Sequence, residues 1–299
     1  MLAWLLRAIL LVEIALIAAI AVAADLSAMG AAAFLVLGLF VVPTLLLGLG
    51  HVLRARAASP RPPGIGPVTA ASVVHEWLAF VFGFVVVMPF PGLWMGSDAV
   101  GRLPAGRRPV LLVHGYMCNR GFWWWLRRAL RARGFAVATH TMETPFSDIE
   151  VLAEGLDRRI DALLAETGAD RVLLVTHSMG GLVARALMRR FGTGRIARFV
   201  TLGGPHHGTV TARLGLGRDA RQMEPGNPWL AELNRTEVTE VPTLSIWSYG
   251  DQIVAPQVTS RLAGAREVAL PALGHMALAF SPGVRDLVVA DLAADDTGR

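Results

Sequence analysis

The sequence predicts an α/β domain, with a mostly parallel sheet flanked by helices, that is preceded by N-terminal transmembrane helices. Two observations support this prediction. The first 58 residues are dominated by long apolar runs, whereas from residue 97 onward short β-branched runs alternate with helical stretches. Strands that alternate with helices form parallel sheets covered on both faces. We therefore divide the 299 residues into a helical hairpin (1–58), a linker with a third apolar segment (59–96) and an α/β domain (97–299).

The composition favours a membrane-associated globular protein. Hydrophobic residues make up 54% of the chain and charged residues only 17%, against roughly 45–50% and ~25% in soluble proteins. A chain this apolar is not intrinsically disordered. Cys118 is the single cysteine, which excludes a disulfide framework and a cysteine-ligated zinc or iron–sulfur site.

The basic charge points to lipid headgroups rather than to nucleic acid. The net charge is +5, and every basic side chain other than histidine is arginine. The arginines are scattered among acidic residues and form no basic stripe with interleaved aromatics, so no nucleic-acid partner is expected. Attraction to anionic lipids accounts better for the excess charge.

The N-terminal hairpin is predicted from two apolar runs. Glu13 is the only charge between residues 8 and 24, and residues 28–50 carry none. About 20 apolar residues span a bilayer as a helix. Arginines lie at the outer ends of both runs, which places both ends in the cytoplasm by the positive-inside rule. The alternatives are a signal peptide cleaved near Ala23, which Glu13 in its apolar core disfavours, and a buried globular hairpin.

A third apolar run covers Trp77 to Met95 without a charge. Pro89 and Pro91 interrupt it, and proline breaks a helix interior. The run either spans the membrane or lies at its surface as a broken helix. We favour the surface position, which leaves the α/β domain on the cytoplasmic side of a bacterial-type inner membrane.

The most specific motif is a strand that passes directly into a helix through a turn at Ser178. This is the setting of a nucleophile elbow, where a strained turn exposes a serine hydroxyl above the strand ends. The residues that would support the turn are Thr176, His177, Gly180 and Gly181. The glycines would allow strand and helix to approach, and Thr176 stands where a first glycine is usual. A plain helix N-cap is the alternative for Ser178, but a cap requires neither Met-Gly-Gly after it nor a buried strand before it.

Together with Val113–Tyr116 and Leu202–Thr209, this motif resembles the α/β-hydrolase-fold serine esterases. The His-Gly and Gly-Pro-His-His-Gly-Thr segments are similar to bacterial lipases of the triacylglycerol-lipase type. The resemblance extends from about Pro109 to the C-terminus and does not include the hydrophobic N-terminus. It implies the α/β-hydrolase fold and ester hydrolysis through an activated serine.

In that fold the chain order is nucleophile, acid and base. Asp251 follows the predicted strand Thr243–Ser248 through a glycine turn, and the Ile-Val-x-Pro after it resembles the acid loop of the family. His275 follows the last predicted strand and is the only histidine after His207. We therefore predict Ser178, Asp251 and His275 as a catalytic triad, the alternatives being a turn aspartate and a structural histidine.

Backbone N–H groups are expected to form the oxyanion hole. One would come from Met179, at the start of the helix after Ser178. The other, by the resemblance, would come from Tyr116, with Met117 as the alternative.

The substrate pocket is predicted mainly from the segment between the nucleophile and the acid. The insert 205–240 is long and irregular, as lids are, although a surface excursion would look the same. Candidate pocket residues are Trp123, His206, His207, Met223 and Trp229.

The leading functional hypothesis is a membrane-anchored hydrolase of carboxylic, lipid-type esters. An acyltransferase, a thioesterase or a lipid deacylase would use the same triad, and a hydrolase-like membrane binding module would need none. No cofactor or metal is expected, because the mechanism needs none and the histidines lack ligand spacing. The expected partners are a lipid or hydrophobic ester and the membrane, and the oligomeric state stays open.

Overall fold

A computed structural model describes residues 1–57, 59–235 and 240–295. Residue 58 of the predicted hairpin, residues 236–239 of the predicted insert and residues 296–299 of the predicted α/β domain lie outside the described residues. The chain opens with helix α1 (Leu2–Ala23), a tight turn, α2 (Ala28–Gly38) and α3 (Val41–Arg56). Pro43 in the first turn of α3 accounts for the break between α2 and α3, because its ring would clash with the carbonyl of Leu39 in a continuous helix.

The third apolar run is helical from an earlier residue than the sequence suggests. Helix α4 (Ala70–Val81) continues into a π-helical turn (Phe82–Val87), and the short α5 (Pro91–Met95) begins at a proline. Within the described residues, three segments are long and apolar enough to cross a membrane, namely Leu2–Ala23, Ala28–Arg56 and Ala70–Val87.

Six parallel strands form one sheet in the order β2-β1-β3-β4-β5-β6. The chain first runs from β1 outward to β2 and then returns to β3 on the other side of β1, so the strand order reverses there. In open α/β sheets ligands bind beside the carboxyl ends of the strands at such a reversal. The strands are β1 (Val110–Val113), β2 (Val137–His140), β3 (Val172–His177), β4 (Ile196–Leu202), β5 (Thr243–Ser248) and β6 (Arg266–Leu270).

Helices cover both faces of the sheet, as the sequence predicts. Alternate residues of β1 enter two separate apolar clusters, Leu111 and Val113 on one face and Val110 and Leu112 on the other. The flanking helices are α6 (Trp124–Arg131), α7 (Ile149–Thr167), α8 (Met179–Phe191) and α11 (Pro282–Ala293). Helices α7 and α8 pack together on the first face, and α6 and α11 on the second.

Two regions differ from what the sequence predicts. The sequence pattern after β5 predicts a helix over residues 255–262, but the structure has only a 3₁₀ turn, Gln257–Ser260, which starts after Pro256. The insert is not structureless, because it contains a 3₁₀ turn (Val210–Leu214), α9 (Gly217–Gln222) and α10 (Pro228–Leu233).

The N-terminal helices pack against the α/β domain, including the segments that follow the carboxyl ends of β5 and β6. Leu2 and Leu6 of α1 join the apolar cluster of the second face. Gly50 of α3 lies against Gln252, where an added Cβ would be 3.1 Å from the glutamine side chain. Helix α4 contacts the 3₁₀ helix Met276–Phe280, which directly follows His275.

Candidate active site

Ser178 occupies a strained turn between β3 and α8. Its backbone has φ 56° and ψ −131°, a region that non-glycine residues rarely adopt and that clusters at functional sites. Its amide N–H donates to the carbonyl of Leu202 at 2.9 Å, which ties the turn to the end of β4. The side chain is 7% exposed and lines a cavity.

Close packing around the turn explains its small residues. A Cβ on Gly180 would lie 2.6 Å from the carbonyl oxygen of His114, and one on Gly181 would lie 2.8 Å from Thr201 Oγ1. Neither position has room for a side chain. Thr176 is fully buried, and its hydroxyl donates to the carbonyl of Val200 at 3.2 Å.

Asp251 and His275 meet at the carboxyl ends of β5 and β6. Asp251 Oδ2 lies 2.7 Å from His275 Nδ1, and both side chains are buried. Asp251 Oδ1 accepts from the amides of Ile253 and Val254 at 2.8 and 2.7 Å, so the carboxylate is held from both ends. A carboxylate partner keeps the proton on Nδ1 of the neutral ring. The Nε2 lone pair of His275 is then available to accept a proton.

The ring of His275 packs beside the elbow. His177, the residue before Ser178, has its ring centroid 4.5 Å from that of His275, and its Nε2 donates to the carbonyl oxygen of His275 at 3.0 Å. Among the described residues, Ser178 Oγ forms no hydrogen bond with His275. Such bonds are often long in enzymes without substrate and tighten in the complex.

The two neighbouring histidines, His275 and His177, have pKa values shifted in opposite directions. Burial opposes a charged ring at His275, but the nearby charges of Asp251 and then Glu76 outweigh it and raise the pKa of His275. Burial, together with the proximity of His275, lowers the pKa of His177 well below its ordinary value. His275 is therefore suited to gain a proton, whereas His177 stays neutral.

Two backbone segments face the Ser178 side chain. Met179 opens α8, and the first amides of a helix have no partner within the helix. On the other side the loop after β1 passes so closely that a Cβ on Gly115 would lie 2.7 Å from Ser178 Cβ. Tyr116 follows this contact, and Met117 has a positive φ of 56°. The Tyr116 hydroxyl donates to the carbonyl of Leu216 and accepts from its amide, each at 2.8 Å, which attaches the insert to the loop.

His114 stabilises the loop that carries Tyr116. The amide of Met142 donates to His114 Nε2 at 3.1 Å, so the proton is on Nδ1, which donates to the Gly115 carbonyl at 2.9 Å. Burial lowers the pKa of His114 to about 4. Cys118, farther along the loop, is buried, and burial raises the pKa of its thiol to about 12. A thiol with that pKa is not a nucleophile at neutral pH.

Ser178 opens into an apolar cavity of about 420 Å³ between the α/β domain and the N-terminal helices. This volume is in the range of small-molecule binding sites. The domain contributes residues of the loop after β1 and of the insert. The N-terminal helices contribute a wall that includes Leu6, Leu10, Leu47, Leu53 and Phe84.

Of the five candidate pocket residues, Met223 lines this cavity and four lie elsewhere. Trp123 is fully buried in the apolar cluster of the second face. His206 is buried beneath the elbow, and its Nε2 is 3.2 Å from Thr201 Oγ1. His207 is exposed and contacts Asn234. Trp229 Nε1 donates to Glu150 Oε1 on α7 at 2.8 Å, and the ring does not line the cavity.

Sequence reasoning missed Glu76, which contacts the loop that holds His275. Glu76 lies on α4, is 1% exposed and accepts from the amides of Met276 and Ala277. Its signal in the sequence is a carboxylate beside an apolar run, a placement that by default suggests function. Within the described residues, no group of three His, Cys, Asp or Glu side chains is positioned to hold a metal ion.

Comparisons with known proteins agree with this architecture. A family model described as a PGAP1-like alpha/beta domain matches residues 134–278, which include Ser178, Asp251 and His275. A triacylglycerol lipase of Burkholderia plantarii is 31% identical over 143 residues, which are 43% of this chain and 40% of that protein. The chain therefore spans about two fifths of the length of this relative.

Solved structures show the fold. Lipase B of Aspergillus fumigatus aligns with a TM-score of 0.58 at 18% identity and covers 79% of this chain and 63% of its own. A Bacillus licheniformis lipase in its mature form aligns with a TM-score of 0.56 at 17% identity and covers 65% and 95%, respectively. The α/β-hydrolase fold that the sequence predicts is confirmed, and the N-terminal apolar helices precede it.

Proposed function

We propose that this chain is a membrane-anchored serine hydrolase that cleaves carboxylic esters of lipids. Ser178 is the nucleophile, His275 the general base and Asp251 the acid that orients it. The observation that carries the proposal is the strained backbone of Ser178, whose side chain opens into an apolar cavity at the sheet edge where the Asp251–His275 pair lies. The α/β-hydrolase fold and the lipase-type relatives support the same reaction class.

The proposed cycle has two steps. Ser178 Oγ attacks the ester carbonyl carbon while His275 Nε2 takes the hydroxyl proton. The amides of Met179 and Tyr116 donate to the oxyanion, and the tetrahedral intermediate collapses when His275 returns the proton to the leaving alcohol. Water, activated by His275, then attacks the acyl-enzyme and releases the fatty acid.

The cavity supports a substrate with a long acyl chain. Its wall is formed mainly by aliphatic and aromatic side chains, many of them from α1, α3 and the π-helical turn. An acyl chain in this cavity would lie between the domain and the apolar helices, with its ester carbonyl at Ser178. The relative described as a triacylglycerol lipase supports an ester of this chemical class.

Exposed apolar surface supports membrane anchoring. Many large hydrophobic side chains of α1, α2 and α3 are exposed, for example Leu16 at 60%, Leu37 at 66% and Leu45 at 66%. Soluble monomers rarely expose contiguous apolar surface on this scale. We propose that α1 and the α2–α3 segment form the transmembrane hairpin. Helix α4 lies against the domain, and the domain is on the cytoplasmic side.

The experiment is hydrolysis of long-chain esters by the full chain in detergent or in vesicles, with the products identified by mass spectrometry. Ser178→Ala is expected to abolish fatty-acid release. Ser97→Ala, which removes an exposed hydroxyl outside the cavity, should leave the rate unchanged. Equal turnover by the Ser178 variant would refute the proposal, and transfer of the acyl group to added alcohol in preference to water would assign an acyltransferase.

A further inference from the structure

A buried carboxylate of α4, Glu76, contacts the loop of His275. Glu76 Oε1 accepts from the amide of Met276 at 3.0 Å and from Gln252 Nε2 at 2.5 Å, and its Oε2 accepts from the amide of Ala277 at 2.8 Å. About 200 residues of chain separate Glu76 from these amides. The carboxylate thus receives three hydrogen bonds, all from residues within two positions of His275 or Asp251.

Glu76 supplies the cap that the local sequence cannot. The 3₁₀ helix Met276–Phe280 has His275 at its N-cap position, and no side-chain hydrogen bond from His275 caps it. The imidazole instead pairs with Asp251, so the first amides of this helix need another acceptor. A carboxylate is the preferred partner for such amides.

Gln252 connects the same carboxylate to the main chain of His275. Its Nε2 donates to Glu76, while its Oε1 accepts from the amide of His275 at 3.2 Å. Gly274 completes the contact, because a Cβ there would overlap the Glu76 carboxylate. His177 donates a hydrogen bond to the carbonyl oxygen of His275. His275 is therefore held by hydrogen bonds at its backbone amide, its backbone carbonyl and its ring.

We propose that Glu76 is a positioning residue for the hydrolytic reaction. It holds the main chain of His275 in place, and its negative charge stabilises the imidazolium that forms in the transition state. This inference rests on the proposed function. It means that the position of His275 depends on α4, so this helix is part of the active site as well as a membrane-associated element.

If the charge of Glu76 acts on His275, its removal changes the pH dependence of kcat/KM, which a purely packing role would leave unchanged. Among the described residues, the titratable groups that face the His275 ring and its loop are Asp251, His177 and Glu76, and Arg54 of α3 interacts with Asp251. Burial raises the pKa of Glu76, while the hydrogen bonds from Ala277, Met276 and Gln252 oppose that rise and favour the charged carboxylate. His177 is neutral, so the two carboxylates account for the raised pKa of His275. The base is active when unprotonated, so a raised pKa moves the acid limb of kcat/KM to higher pH. Removal of the Glu76 charge must move that limb to lower pH.

The experiment compares Glu76→Gln with Glu166→Gln in the full chain. Glu166 is a matched control, because its carboxylate also accepts from two backbone amides, those of Val100 and Gly101, and none of these residues lines the cavity. For Glu76→Gln we expect kcat to fall about 10²-fold, the cost of a displaced catalytic group. KM for a p-nitrophenyl ester should stay the same, and the acid limb should shift to lower pH. Glu166→Gln should match the wild type in all three.

Two outcomes would overturn the inference. A folded Glu76→Gln chain with wild-type kcat and an unshifted acid limb would do so. If that chain does not fold, Glu76→Asp retains the charge but shortens the reach, so kcat should fall while the acid limb stays in place; wild-type kcat in this variant would also overturn the inference. Ser178→Ala distinguishes failure of the proposed function from failure of this inference. Turnover that persists in Ser178→Ala contradicts the proposed function. A Glu76 variant that behaves like the wild type contradicts only the role of Glu76.

Discussion

The Asp251 carboxylate lies 2.7 Å from Nδ1 of His275, across the ends of two neighbouring strands. Both groups are buried, so water does not compete for this bond. The contact sets which ring nitrogen carries the proton, and it leaves the lone pair of Nε2 available to accept another.

Asp251→Asn tests that contact. An amide can present its NH₂ group to the ring and favour the wrong tautomer, so kcat should fall about 10⁴-fold. The measurement is kcat for a p-nitrophenyl ester. The thermal midpoint of the variant shows whether it is folded, and a folded variant with near wild-type kcat would contradict the assigned role of Asp251.

Gly180→Ala tests the close approach at the elbow. The new Cβ would lie 2.6 Å from the His114 carbonyl oxygen and 2.8 Å from that of Val113, both in rigid backbone. Overpacking of this kind should lower the free energy of unfolding by about 3 kcal/mol or more. Gly194→Ala, where nothing lies within 4 Å of the added Cβ, should change it by less than about 0.5 kcal/mol. Equal stability of the two variants in denaturant titrations would show that the elbow is not tightly packed.

Leu47→Trp tests the cavity as the acyl site. Leu47 of α3 is 5% exposed and lines the cavity, whereas Leu45 on the same helix is 66% exposed and does not. The larger ring should fill space that a long chain needs. The ratio of kcat/KM for dodecanoyl over acetyl p-nitrophenyl esters should then fall about 10–100-fold. Leu45→Trp should keep the wild-type ratio, and an unchanged ratio in Leu47→Trp would place the acyl chain elsewhere.

Local patterns were sufficient to predict most of the fold. The sheet and its helices follow from β-branched runs and amphipathic periodicity, both of which are local in the chain. Ser178 is recognisable because a strand, a small-residue turn and a helix are consecutive. Asp251 and His275 could be selected only with the chain order of the resembled family.

Contacts distant in sequence escaped prediction. The bonds of Glu76 to Met276 and Ala277 join segments about 200 residues apart, and no periodicity reports such a pair. The sequence suggests Trp229 as a pocket residue, but its indole N–H donates a hydrogen bond to the Glu150 carboxylate on α7. The cavity wall from α1 and α3 was missed for a related reason, because apolar helices were interpreted only as membrane spans.

The most direct test of the account is the rate at which a fluorophosphonate labels the full chain, with the modified residue located by peptide mass spectrometry. This reagent reacts with an activated serine and needs no knowledge of the substrate. The account predicts labelling at Ser178 in the wild type and a rate at least about 10²-fold slower in His275→Gln, because the general base is lost. Equal labelling of Ser178 in both chains, or labelling only at another serine, would contradict the claim that His275 activates Ser178.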